Sequence, residues 1–507
     1  MTSSPVTTLP PYADVAGAAW RWVLDQVRWD DGPWIPETVP VDEALPGHEP
    51  LPDHGPPIPD YRDGMHSGIG GLAHVLAEIR LHRPWTDEER ALADGIIQRV
   101  RAATTIETSY DYFDGLVSTI GVLSALEAEG VDDAIDRLGA LATPSGWPHA
   151  GYGPPRLPAD TRLSDLTLGT AGVLLAAVWA RRRVTPPDAS GRATALATTA
   201  AEILLAEAEE EPTGLSWLFI PRRFPTASTM EMPNLSHGLA GIAATLAVAG
   251  WELQRPDLVT AARRGAEHLV TLADTTGDGF RVPRYLPHEP TNDEDPFAQG
   301  WCHGGSGTST LFIALDRAGV TDVAGLAPLE WHRRALDTIR RSGIPERRHP
   351  GFWDNDGRCC GTAGVGEAFL DSWQRGGNPA DLDFAVLLAN TLVEHAVLTQ
   401  ADTGPADAGH ADAGPADAGP TDAGPADARP ADARPADAGP ADTGDDRAYW
   451  RFTEHRKPKP LQPPGVGWMQ GAAGIAAYLL RVDRLLAQGR TAGVTPRLDT
   501  WWALPLG

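Results

Sequence analysis

The sequence predicts an all-α protein whose helices pair into an α/α toroid (a double helical barrel) of about seven repeats. Three observations predict it. A Gly-x-x-Gly element recurs along the 507 residues at broadly similar intervals. Most copies open an apolar run at helical spacing. Between one copy and the next lies a longer amphipathic run with a charged face.

The elements are Gly68/Gly71, Gly169/Gly172, Gly238/Gly241, Gly304/Gly307, Gly361/Gly364 and Gly471/Gly474, with a seventh copy, Gly115 to Ser118, that has lost its second glycine. Their starts lie 47, 54, 69, 66, 57 and 110 residues apart. Leu72, Val75, Leu76 and Ile79 follow Gly71 on one helical face, Ile242 and Leu246 follow Gly241, Val365 and Phe369 follow Gly364, and Ile475 and Leu479 follow Gly474. The charged helices are expected over 86–103, 193–209, 257–272, 329–341 and 384–398, the first opened by a capping box, Thr86-x-x-Glu89. Glycine at a helix start lets backbones approach closely and leaves N–H groups free. If the ring closes, all seven glycine ends gather at one mouth.

Two stretches depart from the pattern. Residues 1–60 are rich in proline and tryptophan, and only 13–27 reads as helix; the rest is expected to be an irregular lead-in packed on a single domain spanning 61–507. Within that domain, Asp recurs every five residues from Asp402 to Asp442 among Pro, Ala and Gly. Such a segment has little to bury, and its prolines interrupt helix. A disordered insertion between two helices is expected over about 401–446. Removing those 46 residues brings the last interval down to about 64, in line with the others.

The formal net charge of −26 leaves no basic stripe for nucleic acid. About a third of it is local, since Asp402 to Asp446 holds eleven aspartates against two arginines. No apolar run approaches the roughly 18 to 20 residues of a membrane span, and the first residues, MTSSPVTTLPPYADV, do not read as a secretory signal. Three cysteines are too few, and odd in number, for a disulfide framework. A reduced, cytoplasmic protein is the expectation.

All three cysteines lie on glycine ends, Cys302 in Trp301-Cys302-His303-Gly304 and the other two in Arg358-Cys359-Cys360-Gly361. These are consecutive repeats, so the thiols should be neighbours at the mouth. Three thiols suit Zn2+ and leave a fourth position open, the layout of a catalytic rather than a structural zinc. Three inert buried cysteines would be the plainer reading, but chance burial would not place all three beside repeat glycines. His237, just before Gly238, and Asp165, four residues before Gly169, occupy matching places on other repeats.

The motifs WCHGGSG, CCGTAG, SHGLAG, SDLTLGTAG and GWMQGAAG resemble those of the lanthionine synthetase C-like family, the lanthipeptide cyclases and their eukaryotic relatives. The resemblance covers about residues 60–400 and 450–490. It implies an α/α toroid with one zinc that adds a peptide cysteine thiol to dehydroalanine or dehydrobutyrine, closing a thioether ring. It implies metal ligands at Cys302, Cys359 and Cys360, a cysteine standing at the last position where the family has histidine. It implies a catalytic His237 and Asp165, with His303 beside the metal at a position that is not normally a ligand and the next candidate for the acid after His237. Family members often carry an arginine just before the WC motif, where this chain has Phe297-Ala298-Gln299-Gly300. Three thiolates around zinc leave the shell near −1 rather than neutral, so a substrate thiolate bound there should be a stronger nucleophile but harder to generate.

The expected partner is a dehydrated precursor peptide. No kinase or dehydratase motif is visible, so a separate dehydratase or kinase/lyase would supply it. The alternatives are a relative that adds glutathione or another thiol to dehydrated side chains, and a non-catalytic zinc-containing scaffold that binds peptide in a modification complex. A sugar-cleaving toroid is disfavoured, because that chemistry wants paired carboxylates where this chain has thiols.

Overall fold

The computed structural model describes residues 11–40, 62–149, 160–183, 187–224, 231–287, 296–346, 353–400, 446–451, 453–454 and 461–504. The inner helices each follow a glycine element. They are α2 (Leu72–His82), α4 (Leu116–Ala125), α6 (Thr170–Arg183), α8 (Leu239–Glu252), the kinked pair α10 (Gly305–Thr308) and α11 (Thr310–Arg317), α13 (Thr362–Gly376) and α15 (Ala472–Gln488). Each packs on the next, and α15 packs on α2, so the ring closes. Outside it lie α3 (Asp87–Thr104), α5 (Val131–Leu141), α7 (Pro187–Ala206), α9 (Pro256–Leu272), α12 (Pro328–Arg340) and α14 (Pro379–His395). The result is an α/α toroid.

Burial explains the two layers. Every residue of α4 is buried, and α8 is buried from Leu239 to Gly250, as befits helices with neighbours all round. In α12 one stripe is buried, including Trp331, Ala335, Leu336 and Ile339, while its other faces carry arginines and acids. The capping box of α3 forms as expected: Glu89 N–H donates to Thr86 Oγ1 and Thr86 N–H donates back to Glu89 Oε2.

The outer layer needs a seventh helix, and the N-terminal region supplies it. Helix α1 (Tyr12–Asp25) packs along α15 and buries Val15, Trp20, Trp22 and Val23. Trp20 Nε1 donates to Glu89 Oε1 at 2.8 Å, tying α1 to α3. The segment after α1 then crosses the mouth, where Val39 N–H donates to Pro464 O and Val466 N–H to Glu37 O. The lead-in is thus partly a member of the ring and partly its rim. Periodicity gave its helix but not its place.

The few strands are short. Strand β1 (Glu209–Glu211) pairs with β2 (Gly214–Ser216), and β3 (Trp353–Asp354) with β6 (Thr453–Glu454), both antiparallel. Strand β4 (Val397–Gln400) pairs antiparallel with β5 (Asp446–Tyr449), with Gln400 opposite Asp446. The repetitive insertion therefore leaves from a strand hairpin rather than directly from helices. The expectation of disorder over 401–446 lies outside the described residues, save Asp446, which opens β5.

The glycine ends are joined by a closed ring of backbone hydrogen bonds. In repeat order, Met65 N–H donates to Phe113 O, Tyr112 to Thr167, Thr167 to Ser236, Ser236 to Cys302, Cys302 to Cys359, Cys359 to Met469, and Met469 to His66, at 2.5 to 3.2 Å. Each repeat donates to the next, and the seventh donates to the first. Away from the mouth the barrel is filled. Glu367 is buried with Arg358, Arg481 and Arg497, and the C-terminal Trp501, Trp502 and Leu504 are buried behind them. Buried charges of this kind persist only when paired.

Candidate metal centre and active site

The loops before the first four inner helices each place two consecutive residues on one cavity: His66 and Ser67, Phe113 and Asp114, Thr167 and Leu168, and Ser236 and His237. The second glycine of the motif makes the tight turn behind them possible. A Cβ at Gly307 would collide with Trp301 O, and one at Gly364 with Arg358 O. Those carbonyls belong to residues six positions earlier, directly before the cysteines. Cysteines 302 and 359 are thereby held in equivalent places on adjacent repeats.

The three ligand atoms of Cys302, Cys359 and Cys360 lie within 4.8 Å of one another, an arrangement that can hold a metal ion. Cys302 Sγ is 3.0 Å from Cys360 Sγ, and Cys360 Sγ is 3.4 Å from Cys359 Sγ. All three are free thiols; Cys302 and Cys359 are buried and Cys360 is partly so. Hydrogen bonds from Cys359 and then Cys360 hold Cys302 well below the usual thiol range, against the cost of burial, with help from His303 and Arg284. The thiols of Cys359 and Cys360 are pushed well up, by the Cys302 hydrogen bond in the first case and by burial in the second.

Asp165 and His237 come together on the neighbouring loops. His237 Nδ1 is 2.9 Å from Asp165 Oδ2, which also accepts from Thr167 Oγ1 at 2.9 Å and Leu168 N–H at 3.2 Å. The Asp165 side chain is 0% exposed and that of His237 is 26% exposed. A buried carboxylate on one ring nitrogen fixes the imidazole's orientation and tautomer. His237 Nε2 makes no hydrogen bond among the described residues, and the residue lines the cavity at the mouth. His303 packs beside it, ring centroids 5.6 Å apart, with Tyr285 on its other side at 6.1 Å. The sequence-derived candidates thus form one contiguous patch over three neighbouring loops plus Asp165.

That patch opens into a cavity of about 400 Å³ that also takes in Cys302 and Cys359. Sequence reading missed its far wall: His66, Asp111 and Asp114 from the first two repeats, and Ile35 and Glu37 from the segment after α1. His66 donates or accepts at Ser67 Oγ, 2.8 Å away, and burial pushes its imidazole down to about 4, partly offset by the charge of Cys302. Asp111 accepts from His149 Nε2 at 3.1 Å. Burial, with the charges of Asp111 and Glu37, pushes Asp114 up to about 7. A signal was available. His66 stands two residues before its glycine, as Cys302 and Cys359 do, and Asp114 stands one before, as His237, His303 and Cys360 do. Arg284, on the loop ahead of Trp301, supplies positive charge near Cys302 and Cys359 although no arginine directly precedes the WC motif.

No curated protein matches the chain by sequence. Among solved structures, nisin cyclase is 13% identical over 66% of this chain and 81% of its own, with a TM-score of 0.46. The Lin0763 protein from Listeria innocua is 10% identical over 94% of this chain and 99% of its own, with a TM-score of 0.46. Unsaturated glucuronyl hydrolase from Bacillus sp. GL1 is 15% identical over 65% and 85%, with a TM-score of 0.37. The sequence pattern described as "Lanthionine synthetase C-like protein" matches residues 59–378, well over half of the chain. The closed ring of helix pairs accompanies that match, and the chain belongs to the lanthionine synthetase C-like family.

Proposed function

We propose that this protein is a zinc-dependent lanthipeptide cyclase, which adds cysteine thiols of a peptide to dehydroalanine or dehydrobutyrine and closes (methyl)lanthionine rings. The observation that carries the reading is the meeting of a three-thiol cluster, two of whose members line the cavity, with a carboxylate-oriented histidine on the same cavity. The donor set fits zinc: three soft sulfur ligands on two hydrogen-bonded loops, with no fourth protein ligand in the group among the described residues. Cys302, Cys359 and Cys360 would hold the ion, which when bound lowers the pKa of a substrate thiol at the open position.

The chain's own residues do the rest. The backbone ring fixes the spacing of the cysteine loops to the His237 loop, since Ser236 N–H donates to Cys302 O at 3.0 Å. His237, steadied by Asp165, takes part in proton transfer, either from the thiol or to the α-carbon. Phe113 and Trp301, ring centroids 5.7 Å apart, give the cavity an apolar floor on which a dehydrated side chain can rest. His303 covers the flank between the cysteines and His237.

Incubation with a dehydrated precursor peptide tests this. Each ring closed removes one free thiol without changing the peptide's mass, so alkylation followed by mass spectrometry counts rings. Loss of alkylatable thiols is the expected result. Adding glutathione in the same experiment tests the thiol-adding alternative, which would appear as an adduct of increased mass. Unchanged thiols and no adduct would leave only a scaffold role.

A further inference from the structure

We propose that Asp114 is the acid that protonates the α-carbon after the thiolate adds, and that His237 serves the thiol. The proposal rests on the cyclase reading and divides its two proton tasks between two sides of the mouth.

In a ring of seven, the second repeat lies opposite the fifth and sixth, which carry the cysteines. The contact of Phe113, from the second loop, with Trp301, from the fifth, shows that these loops face each other closely. Asp114 and Cys302 are the next residues along, and both line the same cavity. A dehydrated side chain lying on the Phe113–Trp301 floor would have sulfur on one side and Asp114 on the other.

Asp114 precedes its glycine by one residue, the place that His237, His303 and Cys360 hold on their own loops. The backbone makes room for it: Gly64 packs against the Asp114 carboxylate, and any side chain there would displace it. Asp114 is also unpartnered among the described residues. Its side chain makes no hydrogen bond or ion pair among the described residues, whereas Asp111 is engaged by His149 and Asp165 by His237. The charged or titratable groups facing it are Glu37, Asp111, Arg62, His66 and His237, with the thiols beyond. Burial and two carboxylates keep Asp114 protonated up to about pH 7, so it has a proton to give.

His237 accepts the proton of the substrate thiol. The sulfur lone pair forms the C–S bond at the β-carbon, and the π pair moves to the α-carbon and its carbonyl as an enolate. The Asp114 O–H bond breaks as the α-C–H bond forms, leaving Asp114 as carboxylate. The proton held by His237 then returns to Asp114 through water in the cavity. The net change is addition of S–H across the double bond, with no other reactant.

The test compares Asp114→Asn, Asp114→Glu and wild type on a dehydrated peptide. For Asp114→Asn we expect unchanged zinc content and KM, a fall of about a hundredfold or more in kcat at pH 7, and a mixture of configurations at the new α-carbon where wild type gives one. Asp114→Glu should recover part of the rate and the single configuration. The wild-type kcat should fall as pH rises above about 7. Chiral analysis of the hydrolysed product separates a proton donor from a merely structural residue. Asp114→Asn with wild-type kcat and one configuration would overturn the proposal while leaving the cyclase reading intact. A wild type that closes no ring overturns both. Should Asp114→Asn fail to fold, the wild-type pH profile and Asp114→Glu decide: a flat profile above pH 7 overturns the proposal.

Discussion

In the proposed cyclase Asp165 and His237 divide the labour of one acid–base group, and substitution should expose the division. Asp165 is fully buried and holds the ring nitrogen at 2.9 Å, so it positions, whereas His237 reaches the cavity. His237→Asn should keep fold and metal and lose about 10²- to 10⁴-fold in rate, as read by metal content and thiol counting on the same sample. Loss of metal from that variant would make His237 a ligand. Asp114 carries a cost in stability as well as a proposed task. Its folded pKa, about 7, lies above the ordinary 3.8. Between those values the folded state binds a proton that the unfolded state does not, so stability is present at low pH and is lost as pH rises toward 7. Asp114→Asn escapes the loss. It should raise the melting temperature at pH 8, by the equivalent of about 1 to 4 kcal/mol, and change it little at pH 4. Equal melting temperatures at both values would show that the carboxyl is not strained by its site. At this scale the cysteines, His237 and Asp165 were legible because their residue types are distinctive beside a repeated glycine. His66 and Asp114 were not, because histidine and aspartate before a helix read as ordinary caps until the cavity puts them opposite the thiols.

Helices were legible wherever periodicity was strong. The inner helices follow their glycines, and α9 and α12 begin and end within a residue of expectation. Helix α14 starts five residues earlier than its apolar pattern, because Asn378 caps it and Pro379 opens it. The strands were not legible, since β3 and β6 are two residues each and depend on partners a hundred residues away. The hairpin of β4 and β5 has a practical consequence. Gln400 and Asp446 are ladder partners, so the chain ends on either side of the insertion already lie side by side. Replacing residues 401–445 by an Asn-Gly turn should leave the zinc content and the melting temperature within about 2 °C of wild type, because loop length costs only about 0.6 kcal/mol per doubling. A large drop in the thermal melt would show that the repetitive segment holds the fold.

At the scale of the whole molecule, a ring is only as good as its closure. The sequence showed seven glycine ends and ranges for five charged helices between them; among the described residues α5 makes a sixth, and the seventh, α1, precedes the first repeat. Single-sequence periodicity cannot show that α1, at one end of the chain, pairs with α15, near the other. Removing residues 1–26 would expose the face that Val15, Trp20, Trp22 and Val23 cover. At about 1.5 to 3 kcal/mol for each large apolar side chain, the loss rivals the 5 to 15 kcal/mol by which domains are stable. The truncated protein should therefore lose its cooperative melt by circular dichroism; an unchanged melt would mean the toroid closes without α1. Within that ring the fifth and sixth glycine ends are neighbours, which brings Cys302 to Cys359 and Cys360 in a cluster that could hold a metal ion. Zinc K-edge absorption of the purified protein, with metal content, tests that claim most directly. We expect about one zinc per chain with three sulfur ligands and one light atom, a fourth sulfur when a thiol peptide is added, and loss of metal in Cys302→Ala. Undiminished zinc in all three single Cys→Ala variants, or a sulfur count that ignores the thiol peptide, would contradict it.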